Sequence, residues 1–454
     1  MRNLFSVATA TLFAVSTASG AFAQSNANPL IDVETGFLDG ISELGRDGTF
    51  PNGESAFSMS TTSCNPGAAE AIWEAPMDPD HPFISFMITR ESGGRLEQVS
   101  DYSYVKHGFF ALSSNQCGYG CAGTSGDFLG LGCSDTYGVG TNGSRNWLAP
   151  AEEIDPWLGA WNPLGSLFDG TPVDGNRDYP SGFLPSVVGR VRVQDADLNV
   201  SGANFYYSDY YVIQQEPEAN RNNNGLWRPV SFSWTGSSWN ASPGGTSSGT
   251  EGSVLAAWSG VVLNSNTNGA DNGRVFVGAV TSPAGPNTHY EYALHNRDNN
   301  GGVDELRIPI APGTVVTNVG FHDLDTDAGN DWTFAVVGNE IVFSTSNNPV
   351  QWNTIYNFWF DADASAVNST IDLGQFGGQG ASTFAVNGVP VPGGGSIDPC
   401  AQADDSFEEN DSCAAAAPLA AGFQGGLFVS KTDEDWYTVS LADGDSATLD
   451  ALFT

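Results

Sequence analysis

The sequence predicts an all-β, multidomain protein, and three observations carry that expectation. Short runs rich in Val, Ile, Phe, Tyr, Trp and Thr recur between Gly, Pro, Asn and Asp, with 55 glycines among 454 residues. No long stretch places apolar residues at helical spacing. Two Gly-rich breaks, SPGGTSSGTEG at 242–252 and VPVPGGG at 389–395, divide the chain into pieces of domain size. The expected units are a β-rich domain with four cysteines over 51–250, an immunoglobulin- or fibronectin-like sandwich over 251–391, a linker over 392–400 and a partial β-sandwich over 401–454.

The chain opens as a secretory signal peptide: Met1-Arg2-Asn3, an apolar run from Leu4 to Val15, and the small-x-small site Ala21-Phe22-Ala23, with cleavage expected after Ala23. No later apolar run approaches the roughly 18 residues that span a bilayer. The expectation is therefore a secreted, extracellular protein with no membrane span. Residues 24–50 read as a lead-in with a short helix over Phe37–Leu44.

The formal charge of −37 reflects scarce bases, 15 Lys and Arg against 52 Asp and Glu; Lys106 and Lys431 are the only lysines. Phosphate recognition rests on clustered Lys and Arg, so nucleic acid and anionic membranes are excluded as expected partners. Such self-repulsion is easier to tolerate where salt screens it or calcium binds.

In the first domain, candidate strands are Ala71–Glu74, Phe83–Arg90, Leu96–Val99, Lys106–Leu112, Val188–Val193, Phe205–Ile213 and Pro229–Trp234. The long Gly- and Pro-rich region between Cys133 and Pro185 suggests a binding surface. The stretch Tyr102–Tyr137 holds three of six cysteines, one of five histidines and one of the two lysines. Cys64, Cys117, Cys121 and Cys133 form an even set in an exported chain, which favours disulfides without choosing among three pairings; Cys400 and Cys413 make a second set. His107 with Cys117, Cys121 and Cys133 would suit zinc or copper, but H-x9-C-x3-C-x11-C matches no standard zinc spacing.

In the second domain, strands are expected at Leu255–Leu263, Arg274–Val280, His289–His295, Glu305–Ile310, Val315–Phe321, Trp332–Val337, Glu340–Ser344, Thr354–Phe360 and Thr383–Val386. Gly338-Asn339 between two apolar runs is a hairpin signal, because glycine supplies the positive φ of a primed turn. Asp323, Asp325, Asp327 and Asp331 fall on alternate positions, as oxygen ligation of calcium prefers, although Ala328 and Phe334 depart from the EF-hand pattern. Asn296–Gly302 with Asp304 is a weaker loop of the same type.

The tail reads Asp404-Asp405-Ser406-Phe407-Glu408-Glu409-Asn410-Asp411, then Asp433-Glu434-Asp435-Trp436-Tyr437, then Gly444-Asp445. It resembles the bacterial pre-peptidase C-terminal (PPC) domain, with Glu409 where proline is usual. The resemblance covers roughly the last 55 residues and implies a small non-catalytic β-sandwich appended to secreted proteins, often peptidases. By analogy with related collagen-binding modules it implies calcium at Glu408, Asn410, Asp411, Asp433 and Asp435. Residues 57–390 resemble no characterised family.

Aromatic faces at Tyr206, Tyr210, Trp227 and Trp239 would suit stacking on a polysaccharide or on another protein, although strand alternation sends half of such residues inward. Gly245-Thr246-Ser247-Ser248-Gly249 matches a nucleophile elbow only in letters, since no strand–turn–helix flanks it. No H-E-x-x-H, P-loop or dinucleotide motif is present. The expected function is an extracellular binding protein with structural calcium. The alternative is an exported hydrolase, a peptidase or glycosidase, with its site in residues 57–240 and an accessory PPC-like domain. Its catalytic residues are unassigned, although acid pairs such as Glu152-Glu153-Asp155 or Asp195 with Asp197 could serve glycoside hydrolysis.

Overall fold

The computed structural model describes residues 27–75, 77–178, 186–269, 273–378 and 380–393, together with the two-residue strands Ala417–Pro418 and Tyr437–Thr438, which pair in parallel. Residues 1–23, Cys400, Cys413, Glu408, Asn410, Asp411, Asp433 and Asp435 lie outside the described residues. The fold is all-β, as the composition requires.

In the first unit a long hairpin joins Glu34–Asp47 to Glu54–Cys64. Val191–Gln194 pairs with the start of the second of these strands and Ser134–Tyr137 with its end. A larger sheet is built around Phe83–Ser92, which lies between Asn204–Val212 and Val105–His107. Leu38, Ile41, Phe57 and Met59 from the first sheet pack against Ile84, Phe86, Ile88, Tyr207 and Tyr211 from the second. Each such side chain, once fully buried, is worth roughly 1.5–3 kcal/mol.

Three sequence expectations change here. Phe37–Leu44 is strand, not helix: register shifts at Leu38/Ile41 and Glu43/Gly45 interrupt the strand's two-residue period and produce an apolar spacing that looks helical. The lead-in thus belongs to the first unit. The 242–252 stretch is not a free linker, because Trp239–Pro243 and Thr250–Glu251 both pair with Leu226–Trp234. Arg228 Nη2 donates to the Gly244 carbonyl at 2.9 Å, and the Leu38 N–H donates to the Ser247 carbonyl at 2.8 Å. The run Leu255–Leu263 divides into a 3-10 turn, Val254–Ala257, and a strand, Val262–Thr267. Ser253 Oγ starts the turn by accepting from the Leu255 N–H at 3.2 Å.

The second unit is a sandwich of two five-stranded antiparallel sheets. One runs Val262–Thr267, Arg274–Ala284, Asn287–Asn296, Thr354–Ala362, Val316–His322; the other runs Thr333–Val337, Glu340–Ser344, Val303–Pro309, Ala366–Gln375, Thr383–Pro392. Tyr290, Tyr292, Phe358 and Phe360 meet Leu306, Ile308, Ile341, Phe343 and Leu373 between them. The Gly338-Asn339 hairpin forms as expected, with Gly338 at φ 63°. Ala366–Gln375 is a strand that the sequence reading missed.

The two units are joined by apolar and ionic contacts. Met87 and Leu96 of the first pack with Val254, Leu255, Trp258, Ala293 and Ile355. Arg95 Nε donates to Glu291 Oε1 at 2.5 Å while its guanidinium lies 3.7 Å from the centre of the Trp359 ring. Asp298, fully buried, accepts from Arg221, Arg297 and the Tyr210 hydroxyl. The loop around Asp298, read as a weak calcium loop, therefore has its charge neutralised by arginines.

Candidate binding surface

The Tyr102–Tyr137 stretch is held from beneath by one short strand. Along Ser134–Tyr137 three of the four side chains reach the loop that precedes them, while Thr136 bonds Thr62 of the adjacent strand. Ser134 Oγ accepts from the Gln116 N–H at 2.9 Å, and Asp135 Oδ1 accepts from the Leu112 N–H at 2.9 Å. The Tyr137 hydroxyl accepts from the Phe109 N–H and from Trp73 Nε1 and donates to the Phe109 carbonyl at 2.7 Å. Strand, side chains and loop thus share one hydrogen-bonded frame.

Two disulfides, Cys64–Cys117 and Cys121–Cys133, complete it and select one of the three pairings left open by the sequence. Gly36 lies against the first: a Cβ there would collide with the sulfurs of Cys64 and Cys117. With all four thiols consumed, the zinc reading around His107 falls away. Among the described residues the one group of three His, Cys, Asp or Glu donors within 4.8 Å of one another is Glu34 with Cys64 and Cys117, and the disulfide closes it to metal.

Below the loop sits a sealed polar knot. His81 Nδ1 faces the Asp78 carbonyl at 2.6 Å and His81 Nε2 faces His107 Nδ1 at 2.8 Å. Burial pulls the His81 pKa down to about 4 and the His107 pKa well below its usual value, so both rings are neutral near pH 7. A carbonyl only accepts, so His81 carries its proton on Nδ1 and His107 donates from Nδ1 to His81 Nε2. This leaves His107 Nε2 as a lone pair in a box of Phe83, Trp161 and Phe168. Lys106 is also fully buried, its ammonium donating to the His107 carbonyl and lying 4.2 Å from the Phe109 ring centre and 4.4 Å from that of Tyr137. Desolvation lowers its pKa to about 7, against the opposing pull of Asp135, whose own pKa burial raises to about 6.

Among the Ser, Asn, Gln and Gly residues that this frame exposes stand four large apolar or aromatic side chains. Phe110, Leu112 and Tyr119 are each about half-exposed, and Leu131, between Cys121 and Cys133 in sequence, is exposed as well. Phe110 has φ 45°, a left-handed conformation that a bulky side chain rarely adopts. The Tyr119 hydroxyl donates to Glu34 Oε1 at 2.7 Å, and that bond, with burial, raises the tyrosine pKa to about 12. None of these four residues stood out in the sequence, where they are interleaved with Gly and Ser; their proximity to paired cysteines was the available signal.

The residues singled out for stacking are differently placed. Tyr210 and Trp239 are buried, bonded to Asp298 at 2.9 Å and to Asp195 at 2.8 Å respectively, and offer no face to a ligand. Tyr206 and Trp227 stand edge-to-face, 5.6 Å between ring centres, and pack against the cluster that joins the two units. Of the acids considered for hydrolysis, Glu152 is exposed at the surface, Glu153 Oε1 accepts from the Leu167 N–H at 2.8 Å, and the other three are engaged too. Asp195 pairs with Arg46 at 2.5 Å, Asp197 with Arg90 at 3.1 Å, and Asp155 Oδ1 accepts from the N–H groups of Trp157 and Leu158. In the Asp323–Asp331 loop, Asp323, Asp325 and Asp327 each accept from a backbone N–H two residues on, at 3.0, 2.6 and 3.0 Å, and Asp331 is exposed. The loop is closed by its own amides, and its carboxylates do not gather three donors within 4.8 Å.

No family model, curated protein or solved structure matches this chain. Fold and surface together define a disulfide-braced pair of joined β-units with a braced loop that exposes Phe110, Leu112, Tyr119 and Leu131.

Proposed function

We propose that the protein is an extracellular binding protein that docks another protein through the Phe110, Leu112, Tyr119 and Leu131 face. The observation that carries this reading is the contrast between a loop fixed by two disulfides and a row of backbone bonds and the large apolar side chains it leaves in water. Rigid apolar groups lose little entropy on docking, and exposed apolar patches on a built frame mark interaction sites. Protein is favoured over polysaccharide because the tryptophans that would stack on sugars in this unit are engaged in packing. Export and a PPC-like C-terminal module agree with this reading.

The test compares the wild-type chain with a Phe110→Ser, Leu112→Ser, Tyr119→Ser variant on immobilised extracellular-matrix proteins and on insoluble polysaccharides. Retention on a protein that drops at least tenfold in the variant, with unchanged melting, supports the reading. Equal retention of both chains, or retention on polysaccharide alone, sinks it. Calcium at the Asp323–Asp331 loop would require its turns to open; terbium luminescence sensitised by Trp332 tests that separately.

The alternative hydrolase reading places its site in residues 57–240; among the described residues the nearest thing to a nucleophile–base contact lies outside that range, Ser253 Oγ facing His295 Nδ1 at 2.8 Å. Both side chains are buried, and Ser253 already serves as the cap of the Val254–Ala257 turn.

A further inference from the structure

The two sides of the second unit end differently. On one side Asn264 Nδ2 donates to the Gly388 carbonyl at 3.1 Å and Asn266 Nδ2 to the Ala385 carbonyl at 2.7 Å, stitching the edge strands of the two sheets together. On the other side Thr333–Val337 is the last strand of its sheet and pairs only with Glu340–Ser344. All five of its residues are exposed, Phe334, Val336 and Val337 by half or more. The two-residue turn makes Val337 and Glu340 a hydrogen-bonded pair. By alternation Phe334 and Val336 then direct their N–H and C=O groups away from the sheet. Protected edges carry lysine, proline or a bulge; Thr333-Phe334-Ala335-Val336-Val337 has none and its register is regular. The strand is also firmly seated, since Trp332 beside it is buried and donates from Nε1 to the Asn348 carbonyl at 2.7 Å.

Charge selects the occupant. The loop leading into the strand exposes Asp325, Asp327 and Asp331. A second copy would bring the same carboxylates on a chain of charge −37, and residues 394–454 of this chain carry twelve acids against one lysine, Lys431. We propose that the Thr333–Val337 edge receives, as an added strand, an extended segment of another protein in which apolar and basic residues alternate. Main-chain bonds to Phe334 and Val336 would supply affinity, and the aspartates would supply preference for a cationic partner.

The test uses the full chain in about 0.15 M salt, where charge attraction is screened within roughly 8 Å. The probe is a capped nine-residue peptide alternating Val and Lys, and its control alternates Val and Glu. Expected are binding of the Val/Lys peptide, none of the Val/Glu peptide, and slowed amide exchange at Phe334 and Val336. Val336→Pro removes an outward N–H that the sheet does not use, a position where edge strands accept proline. It should weaken binding at least tenfold while melting is unchanged, and Asp325→Asn with Asp327→Asn and Asp331→Asn should weaken it severalfold. Equal binding by Val336→Pro, equal binding of the Val/Glu peptide, or no change in exchange at Phe334 and Val336 overturns the proposal. Self-association abolished by Val336→Pro overturns the choice of partner by making the occupant a second copy.

Discussion

Arg221 and Asp298 meet at 3.1 Å across the join of the two β-units, with side chains 2% and 0% exposed. Arg221 comes from the Glu218–Asn223 turn of the first unit and Asp298 from the loop after Asn287–Asn296 in the second. Asp298 also meets Arg297, which in turn bonds Glu218 at 2.7 Å. Removing the carboxylate would leave the buried Arg221 guanidinium with carbonyl partners and no ion pair, and Arg297 with Glu218 as its remaining carboxylate.

Asp298→Ala should therefore destabilise the chain by about 3–5 kcal/mol, the cost of leaving buried charge uncompensated. Urea unfolding followed by tryptophan fluorescence checks this. A change below about 1 kcal/mol would mean that water already reaches the pair.

Lys106 gives a pH signature. Its folded pKa, about 7, lies below the unfolded value near 10.5, so the unfolded chain binds more protons between those limits. Stability from this group rises from pH 7 toward 10.5 and is lost as pH falls through 7, at up to about 1.4 kcal/mol per pH unit. Glu216, raised by burial to about 8, works in the opposite sense as pH rises toward that value. The clean measurement is thus the difference between wild type and Lys106→Met in urea midpoint at pH 7, 8 and 9, which should grow in favour of wild type.

Proteolysis without reduction, followed by mass spectrometry, should yield peptides linking Cys64 to Cys117 and Cys121 to Cys133. Cys121→Ser with Cys133→Ser should cost about 2–4 kcal/mol by loosening the unfolded-state constraint. Any other linkage would refute the loop geometry.

Phe110→Gly separates fold from surface. Glycine takes φ 45° without the penalty of roughly 1–2 kcal/mol that a Cβ incurs there. Because the ring is half-exposed, the melting temperature should hold or rise while retention on a protein ligand falls. A marked drop in melting temperature would assign the ring to packing instead.

Much of the fold was readable because β-branched and aromatic runs between turn residues need no long-range information: Phe83–Arg90, Phe205–Ile213 and the 334–343 hairpin all form. Glu34–Asp47 escaped because its bulges mimic a helical period. Ala366–Gln375 escaped because its first residues are polar or exposed. The site was less legible for a related reason. Composition marks Trp239 and Tyr210 as aromatic, but whether they face water depends on Asp195 and Asp298, distant in sequence and decisive in space. Likewise Phe110 is unremarkable in sequence until the Tyr137 hydroxyl fixes the backbone of its neighbour Phe109.

The Asn264 and Asn266 side-chain bonds have a consequence for how the second unit can take part in larger structures. They occupy the flank on which two sheets would otherwise offer fresh strands, so strand addition on that unit is one-sided. A body that accepts strands on a single flank can finish a row of them and cannot pass the row on. It would act as a terminus rather than a link, which keeps an exposed apolar strand from seeding a fibre.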